Sequence, residues 1–142
     1  MHFQSHTVVE RSLQTVAAFF ADGQNLVKWD RSVAKVEPTS SSTAAVGTTF
    51  DTVAPNGLRM SYRITAHDPE SHSTIELMPS KMFTRAVWRL QYDRVAVGTR
   101  ITCDVDFTLR PLYWFLALPL ILSQKKALAR DLRSLKEAIE AM

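Results

Sequence analysis

Three stretches of this 142-residue chain alternate apolar and polar side chains with a period of two, and that pattern restricts the fold more than any other feature. In LRMSYRITAH, Leu58, Met60, Tyr62, Ile64 and Ala66 fall on one side, while Arg59, Ser61, Arg63, Thr65 and His67 fall on the other. MFTRAVWRLQY sets Met82, Thr84, Ala86, Trp88, Leu90 and Tyr92 against Phe83, Arg85, Val87, Arg89 and Gln91. From Arg100 onward, Ile101, Cys103, Val105, Phe107 and Leu109 oppose Arg100, Thr102, Asp104, Asp106 and Thr108. Successive side chains of a strand point to opposite faces, so each segment has one dry and one charged face.

Short turn signals separate these strands: Pro55-Asn56-Gly57, Asp68-Pro69-Glu70, Pro79-Ser80-Lys81 and Val97-Gly98-Thr99. A parallel crossover needs a dozen or more residues, so neighbours joined this tightly run antiparallel. The result is a meander whose single apolar face must be covered by another layer.

The C-terminus supplies the cover. Leu128, Leu132, Leu135 and Ile139 recur at spacings of four, three and four, with Lys125, Lys126, Arg130, Arg133 and Lys136 on the rest of the cylinder. That helix reads from Leu122 onward. Pro119 lacks an amide proton and crowds the preceding turn, so a straight helix from Pro111 to Ala141 is not expected; a short helical or irregular piece, a break near Pro119 and then the long helix are.

At the other end, Phe3 to Val9 reads as a short strand. Ser12 then caps a helix carrying Leu13, Val16, Phe19 and Phe20. Asp22-Gly23 interrupts it, Asn25 to Trp29 forms a second helical turn, and the chain becomes extended at Ser32. Pro38 to Ala45, PTSSSTAA, reads as a loop between strands.

Length and composition fit one globular domain spanning residues 1–142, with 46% hydrophobic and 22% charged residues. A net charge of +3 without a basic, aromatic-interleaved stripe gives no basis for nucleic-acid binding. Cys103 is the sole cysteine, which excludes an intramolecular disulfide. MHFQSHTVVE has no basic leader followed by an apolar run, and PLYWFLALPLIL (111–122) falls short of the roughly 18 apolar residues of a spanning helix. A cytoplasmic protein is the expectation.

A strand, two short helices, a curved antiparallel sheet and a long final helix make up the α+β helix-grip arrangement. NLVKWDRSVAKVE after the first helices, VGTTFD opening a strand and DLRSLKEAIEA at the end resemble the START and Bet v 1-like superfamily, in particular its polyketide cyclase/dehydrase and lipid-transport branch. The resemblance implies a sheet wrapped around the last helix and an internal cavity for an apolar or amphipathic small molecule. It brings no catalytic motif, metal or cofactor, and a fold shared by carriers, sensors and cyclases does not by itself name a reaction.

On that reading the dry face lines the cavity. Candidate ligand contacts are Met60, Tyr62, Leu77, Thr84, Trp88, Tyr92, Cys103, Val105 and Phe107, with Tyr113, Trp114 and Phe115 folding over its mouth as lid and wall. Tyr62 and Tyr92 either orient a ligand carbonyl or bury their rings in the core; Trp88 is wall or core; Trp29 closes the core under a loop or lines an entrance. By parity the histidines and carboxylates of the strands point outward, which argues against proton-transfer chemistry inside.

His67 and His72 flank a loose turn without the fixed spacing of a zinc site, and His2 and His6 are expected in solvent. Arg59, Arg63, Arg85, Arg89, Asp104 and Asp106 read as a solvated outer ladder, and Cys103 as a small buried hydrophobe. The basic helix beside PLYWFLALPLIL admits peripheral contact with a membrane. The leading expectation is a non-enzymatic binder or carrier of a lipid or polyketide-like compound. A cyclase or dehydratase using Tyr62 or Tyr92 with an inward acid or base is the alternative, and a ligand-free regulatory module the third.

Overall fold

The computed structural model describes residues 1–41 and 43–142. Strand β1 (His2–Val9) leads into α1 (Leu13–Ala21) and a 3-10 helix (Gly23–Lys28). There follow β2 (Lys35–Pro38), β3 (Thr49–Val53), β4 (Arg59–Asp68), β5 (His72–Leu77), β6 (Phe83–Val95) and β7 (Gly98–Leu109). A second 3-10 helix (Pro111–Leu116) runs into α2 (Ala117–Glu140). All seven strands form one antiparallel sheet in the order β1-β7-β6-β5-β4-β3-β2. This is the helix-grip fold.

Local chemistry sets the element ends. Ser12 Oγ accepts the Thr15 amide at 3.2 Å to cap α1, and Asp22 Oδ1 accepts the Gln24 amide at 3.0 Å to start the 3-10 helix. The chain becomes extended at Lys35 rather than Ser32, because Asp30 holds Ser32 in a turn: Oδ1 accepts its amide at 2.9 Å and its hydroxyl at 2.6 Å. Ser42, inside the loop expected over Pro38–Ala45, lies outside the described residues.

The break ahead of the long helix comes at Leu116, before Pro119 rather than at it. Pro119 sits in the first turn of α2, where its missing amide proton would have had no partner in any case. The helix therefore starts five residues ahead of Leu122. Leu128, Leu132, Leu135 and Ile139 are buried against the sheet as their spacing predicts. Asp131, on the same helix, is buried with them.

The C-terminal end of α2 is fastened to the β1–α1 junction. Lys136 Nζ donates to Val8 O at 2.9 Å and to Glu140 Oε2 at 2.8 Å, Glu140 Oε2 also accepts the Glu10 amide at 2.8 Å, and Arg11 donates to the Glu140 carbonyl. On the outer face Arg59 pairs with Glu37 and with Asp51 at 3.1 Å, and Arg89 with Asp106 at 3.0 Å. Arg59, with help from Lys35, holds the Glu37 carboxyl down at about 2. His2 reaches Asp104 at 2.9 Å, and both His2 and His6 are exposed.

Alternation holds along all of β7: Ile101, Cys103, Val105, Phe107 and Leu109 are buried and their neighbours are not. The register slips once on β4 and once on β6. Between Ile64 and Ala66 the register to β5 shifts, which leaves Thr65 as the extra residue of a β-bulge. Between Phe83 and Arg85 the register to β7 shifts in the same way, which turns Thr84 out to solvent and brings Phe83 onto the core.

Candidate functional site

A cavity of about 110 Å³ lies between α1, the first 3-10 helix, the β2–β3 connection and the inner face of β4, β5 and β6. Its walls are largely aromatic and aliphatic. Phe19 and Phe20 come from α1, Leu26 and Trp29 from the 3-10 helix and the residue after it, Phe50 from β3, and Ile64, Ile75, Leu90 and Tyr92 from the three strands. Phe20 stacks on Tyr92 with ring centroids 5.1 Å apart and meets Trp29 edge-on at 6.3 Å.

Several polar side chains at the rim are already committed to holding this wall together. Asn25 Nδ2 donates to Phe19 O at 2.8 Å, and Gln24 Nε2 donates to Val36 O at 3.2 Å, so the 3-10 helix is tied both to α1 and to β2. His67 and Ser73 are different. They stand directly opposite each other on β4 and β5, both line the cavity, and His67 Nδ1 lies 3.3 Å from Ser73 Oγ. The bulge at Thr65 is what aims His67 inward. Parity places it outside, and that expectation is corrected: one inserted residue reverses every side chain beyond it.

Of the twelve residues expected to contact a ligand, Tyr92 alone lines this cavity. Leu77, Cys103, Val105 and Phe107 are buried in the packed core. Met60, Tyr62, Trp88 and Tyr113 are half-buried against the same core, with Tyr62 stacked on Phe50 at 5.4 Å and edge-on to Trp88 at 5.7 Å. Thr84 is exposed and donates to Thr108 O. Trp114 and Phe115 are exposed, and no residue of 111–122 is a wall of the cavity, so the reading of that run as a lid does not match its position. The leucine stripe of α2 joins the packed core beside β1, and the hollow lies beside α1 instead.

The charge of Asp30, in the turn between the 3-10 helix and β2, adds to the burial that raises three other groups. Asp131 of α2 has its pKa pushed up to about 6, first by burial and then by the charge of Asp30, against the opposing pull of the Arg31 amide and the Arg130 and Arg31 charges. Its Oδ1 is buried with no hydrogen-bond partner among the described residues, 3.7 Å from Arg130 Nε. Burial, with a smaller contribution from Asp30, pushes Tyr62 up to about 12; burial, Asp104 and Asp30 push Cys103 up to about 12. The Cys103 thiol is thus an unreactive part of the core. Burial also drives the Tyr92 hydroxyl well above its ordinary value, and that hydroxyl has no hydrogen-bond partner among the described residues. Alternation could not have found the Asp30 and Asp131 pair, because it joins a loop near the start of the chain to a helix near its end. Phe20 reads from sequence as part of the apolar face of the first helix, Phe50 as part of a strand opening and Trp29 as closing the core or lining an entrance; the structure sets all three on the cavity wall.

Among the described residues no three of His, Cys, Asp and Glu gather as a metal site. No helix is long and apolar enough to cross a membrane.

Comparison with known proteins agrees with this architecture. The chain is similar to TTHA0849 from Thermus thermophilus, with 16% identity, a TM-score of 0.79, and 99% of this chain and 98% of that one covered. It is similar to Ara h 8.0201, with 13% identity, a TM-score of 0.72, and 100% and 99% covered. It is also similar to the ginseng major latex-like protein 151 from Panax ginseng, with 13% identity, a TM-score of 0.66, and 91% and 95% covered. At these identities the likeness shows the fold alone. No curated protein matches the sequence. The family model described as polyketide cyclase / dehydrase and lipid transport matches residues 1–140. Nearly the whole chain is accounted for by that match, and the protein belongs to the polyketide cyclase/dehydrase and lipid transport family.

Proposed function

We propose that the protein binds a hydrophobic small molecule in the cavity between α1, the first 3-10 helix and β4–β6. One observation carries this: a largely apolar hollow walled by Phe19, Phe20, Trp29, Phe50 and Ile75, with His67 and Ser73 paired across its strand wall. Apolar cavities of roughly 150 Å³ hold a benzene-sized guest, whereas drug-sized ligands need about 300 Å³ or more. At about 110 Å³ the hollow suits a small ring or short chain bearing one hydrogen-bonding group, and a long acyl chain or fused polyketide would have to part α1 from the sheet. Of the residues first expected to touch the ligand, Tyr92 keeps that role in this proposal.

Native mass spectrometry of gently purified protein and isothermal titration with indole, a small apolar ring bearing one hydrogen-bonding group, test the reading. Saturable uptake is expected, competed by small phenols, and weakened in an Ile75→Phe variant that fills the hollow. Failure of the folded protein to take up any apolar probe, or uptake indifferent to Ile75→Phe, would refute it.

A second reading is favoured by the inward turn of His67. An imidazole within reach of the guest can accept and return a proton, which a cyclase or dehydratase requires and which Tyr62, in the core, does not provide. Turnover of a bound β-hydroxy ketone that vanishes in His67→Gln while binding persists would favour this reading over simple carriage.

A further inference from the structure

The run PLYWFLALPLIL, displaced from the cavity, is turned outward. Leu112, Trp114, Phe115 and Leu118 are exposed over 64% to 76% of their surface, and Leu122 over 54%. Together they present an apolar patch of roughly 600 Å², at the upper limit of what a monomer shows as its largest. The patch is built rather than frayed. The Trp114 indole Nε1 donates to Leu109 O at 3.1 Å, so the ring can meet an apolar phase without carrying an unpaired donor into it. Phe115, Leu118 and Leu122 follow at helical spacings of three and four across the start of α2.

Charge states what the patch fits. From Phe107 to Arg130 the chain contains no Asp or Glu, and carries Arg110, Lys125, Lys126 and Arg130. Arg110, Lys125 and Lys126 are exposed; Arg110 Nε donates to Ser80 O at 2.9 Å, which brings exposed Lys81 to the same end of the molecule. Lys126 follows Leu122 by one turn, about 6 Å along the axis, which places its ammonium at headgroup level once the leucine enters the acyl boundary. A second copy of this chain docked patch to patch would set these cations against one another. An anionic bilayer would neutralise them.

We infer that the segment 110–126 docks the protein on an anionic lipid surface, with Trp114, Phe115, Leu118 and Leu122 inserted and Lys81, Arg110, Lys125 and Lys126 over the headgroups. The inference does not depend on what the cavity holds.

Flotation with mixed phosphatidylcholine–phosphatidylglycerol vesicles, against phosphatidylcholine alone, is the test. The intact protein should float with the anionic vesicles at low salt with a blue shift of tryptophan emission, and float far less with the neutral ones. Phe115→Ser with Leu118→Ser, and separately Lys125→Glu with Lys126→Glu, should each weaken binding about tenfold or more at unchanged thermal midpoint. The cavity-filled Ile75→Phe variant should float like the wild type, which separates this surface from the ligand site. Absence of flotation by the folded protein, or flotation unaffected by both pairs, overturns the inference. So does sedimentation of the free protein as a dimer that Phe115→Ser with Leu118→Ser dissociates, which would make the patch a self-interface.

Discussion

His67 on β4 and Ser73 on β5 face each other across one rung of the sheet, with Nδ1 3.3 Å from Oγ, at the polar end of an aromatic hollow. The pairing exists because Thr65 is an extra residue. Ile64 pairs with Ile75 and Ala66 with Thr74, so the face carrying Tyr62 and Ile64 continues through His67 instead of Ala66.

Replacing His67 by Leu should therefore change what the cavity prefers more than whether it forms. Binding of a guest with a hydroxyl or carbonyl group is expected to weaken about tenfold, the worth of one lost hydrogen bond in a water-poor site, while binding of an apolar probe holds or improves. Isothermal titration with phenol and with toluene, in which a methyl replaces the hydroxyl, measures both. Equal losses for the two would remove the polar role from His67.

Asp131 makes stability depend on pH in a direction set by its surroundings. Asp30 and Arg31 face it from the loop and Arg130 from its own helix, and burial dominates. Its pKa is raised to about 6 in the folded chain from the ordinary carboxyl value near 4, so between those values the folded state holds the extra proton. Stability from this group is complete below about pH 4 and is lost as pH rises through 6. Asp131→Asn should stabilise the protein at pH 8 by up to about 3 kcal/mol and have little effect at pH 4. Urea melts at the two pH values decide it, and a variant penalised equally at both would show that the carboxylate is favourably held.

Tyr92 keeps its ring in the cavity wall and its hydroxyl buried without a partner among the described residues. Tyr92→Phe should then leave stability unchanged or raise it by about 1 kcal/mol, in contrast to the loss expected where a buried hydroxyl is bonded. Chemical denaturation reads the difference; a loss above about 1 kcal/mol would reveal a partner, such as an ordered water.

Gly98 should tolerate nothing larger. A Cβ there would lie 2.1 Å from the Val9 carbonyl oxygen and 2.9 Å from the Arg11 amide, in backbone that Thr99 also grips by donating to Arg11 O at 3.0 Å. Gly98→Ala is expected to cost more than about 2 kcal/mol. Gly57→Ala, at φ +87° with open space around it, should cost about 1 kcal/mol. Comparable midpoints for the two variants would contradict the close approach at the β1–β7 junction.

Much of the architecture is written in local order. Period two along Ile101–Leu109, four turn signals and the leucine spacing of the last helix suffice for an antiparallel sheet gripping a terminal helix, because burial of one face is repeated at every second or every third to fourth residue. Tertiary structure alone decided where the hollow lies and what points into it. Single-residue bulges at Thr65 and Thr84 invert the faces of β4 and β6, with no mark in composition, since an inserted threonine suits either side of a sheet. Whether apolar side chains meet as solid core or as walls depends on distances between elements far apart in the chain. The stripe of α2 joins the packed core, while Phe19, Trp29 and Ile75 line the hollow beside α1. PLYWFLALPLIL illustrates the same division: its apolar character is read at once, but its outward aim follows from the turn at Leu116 and the course of α2.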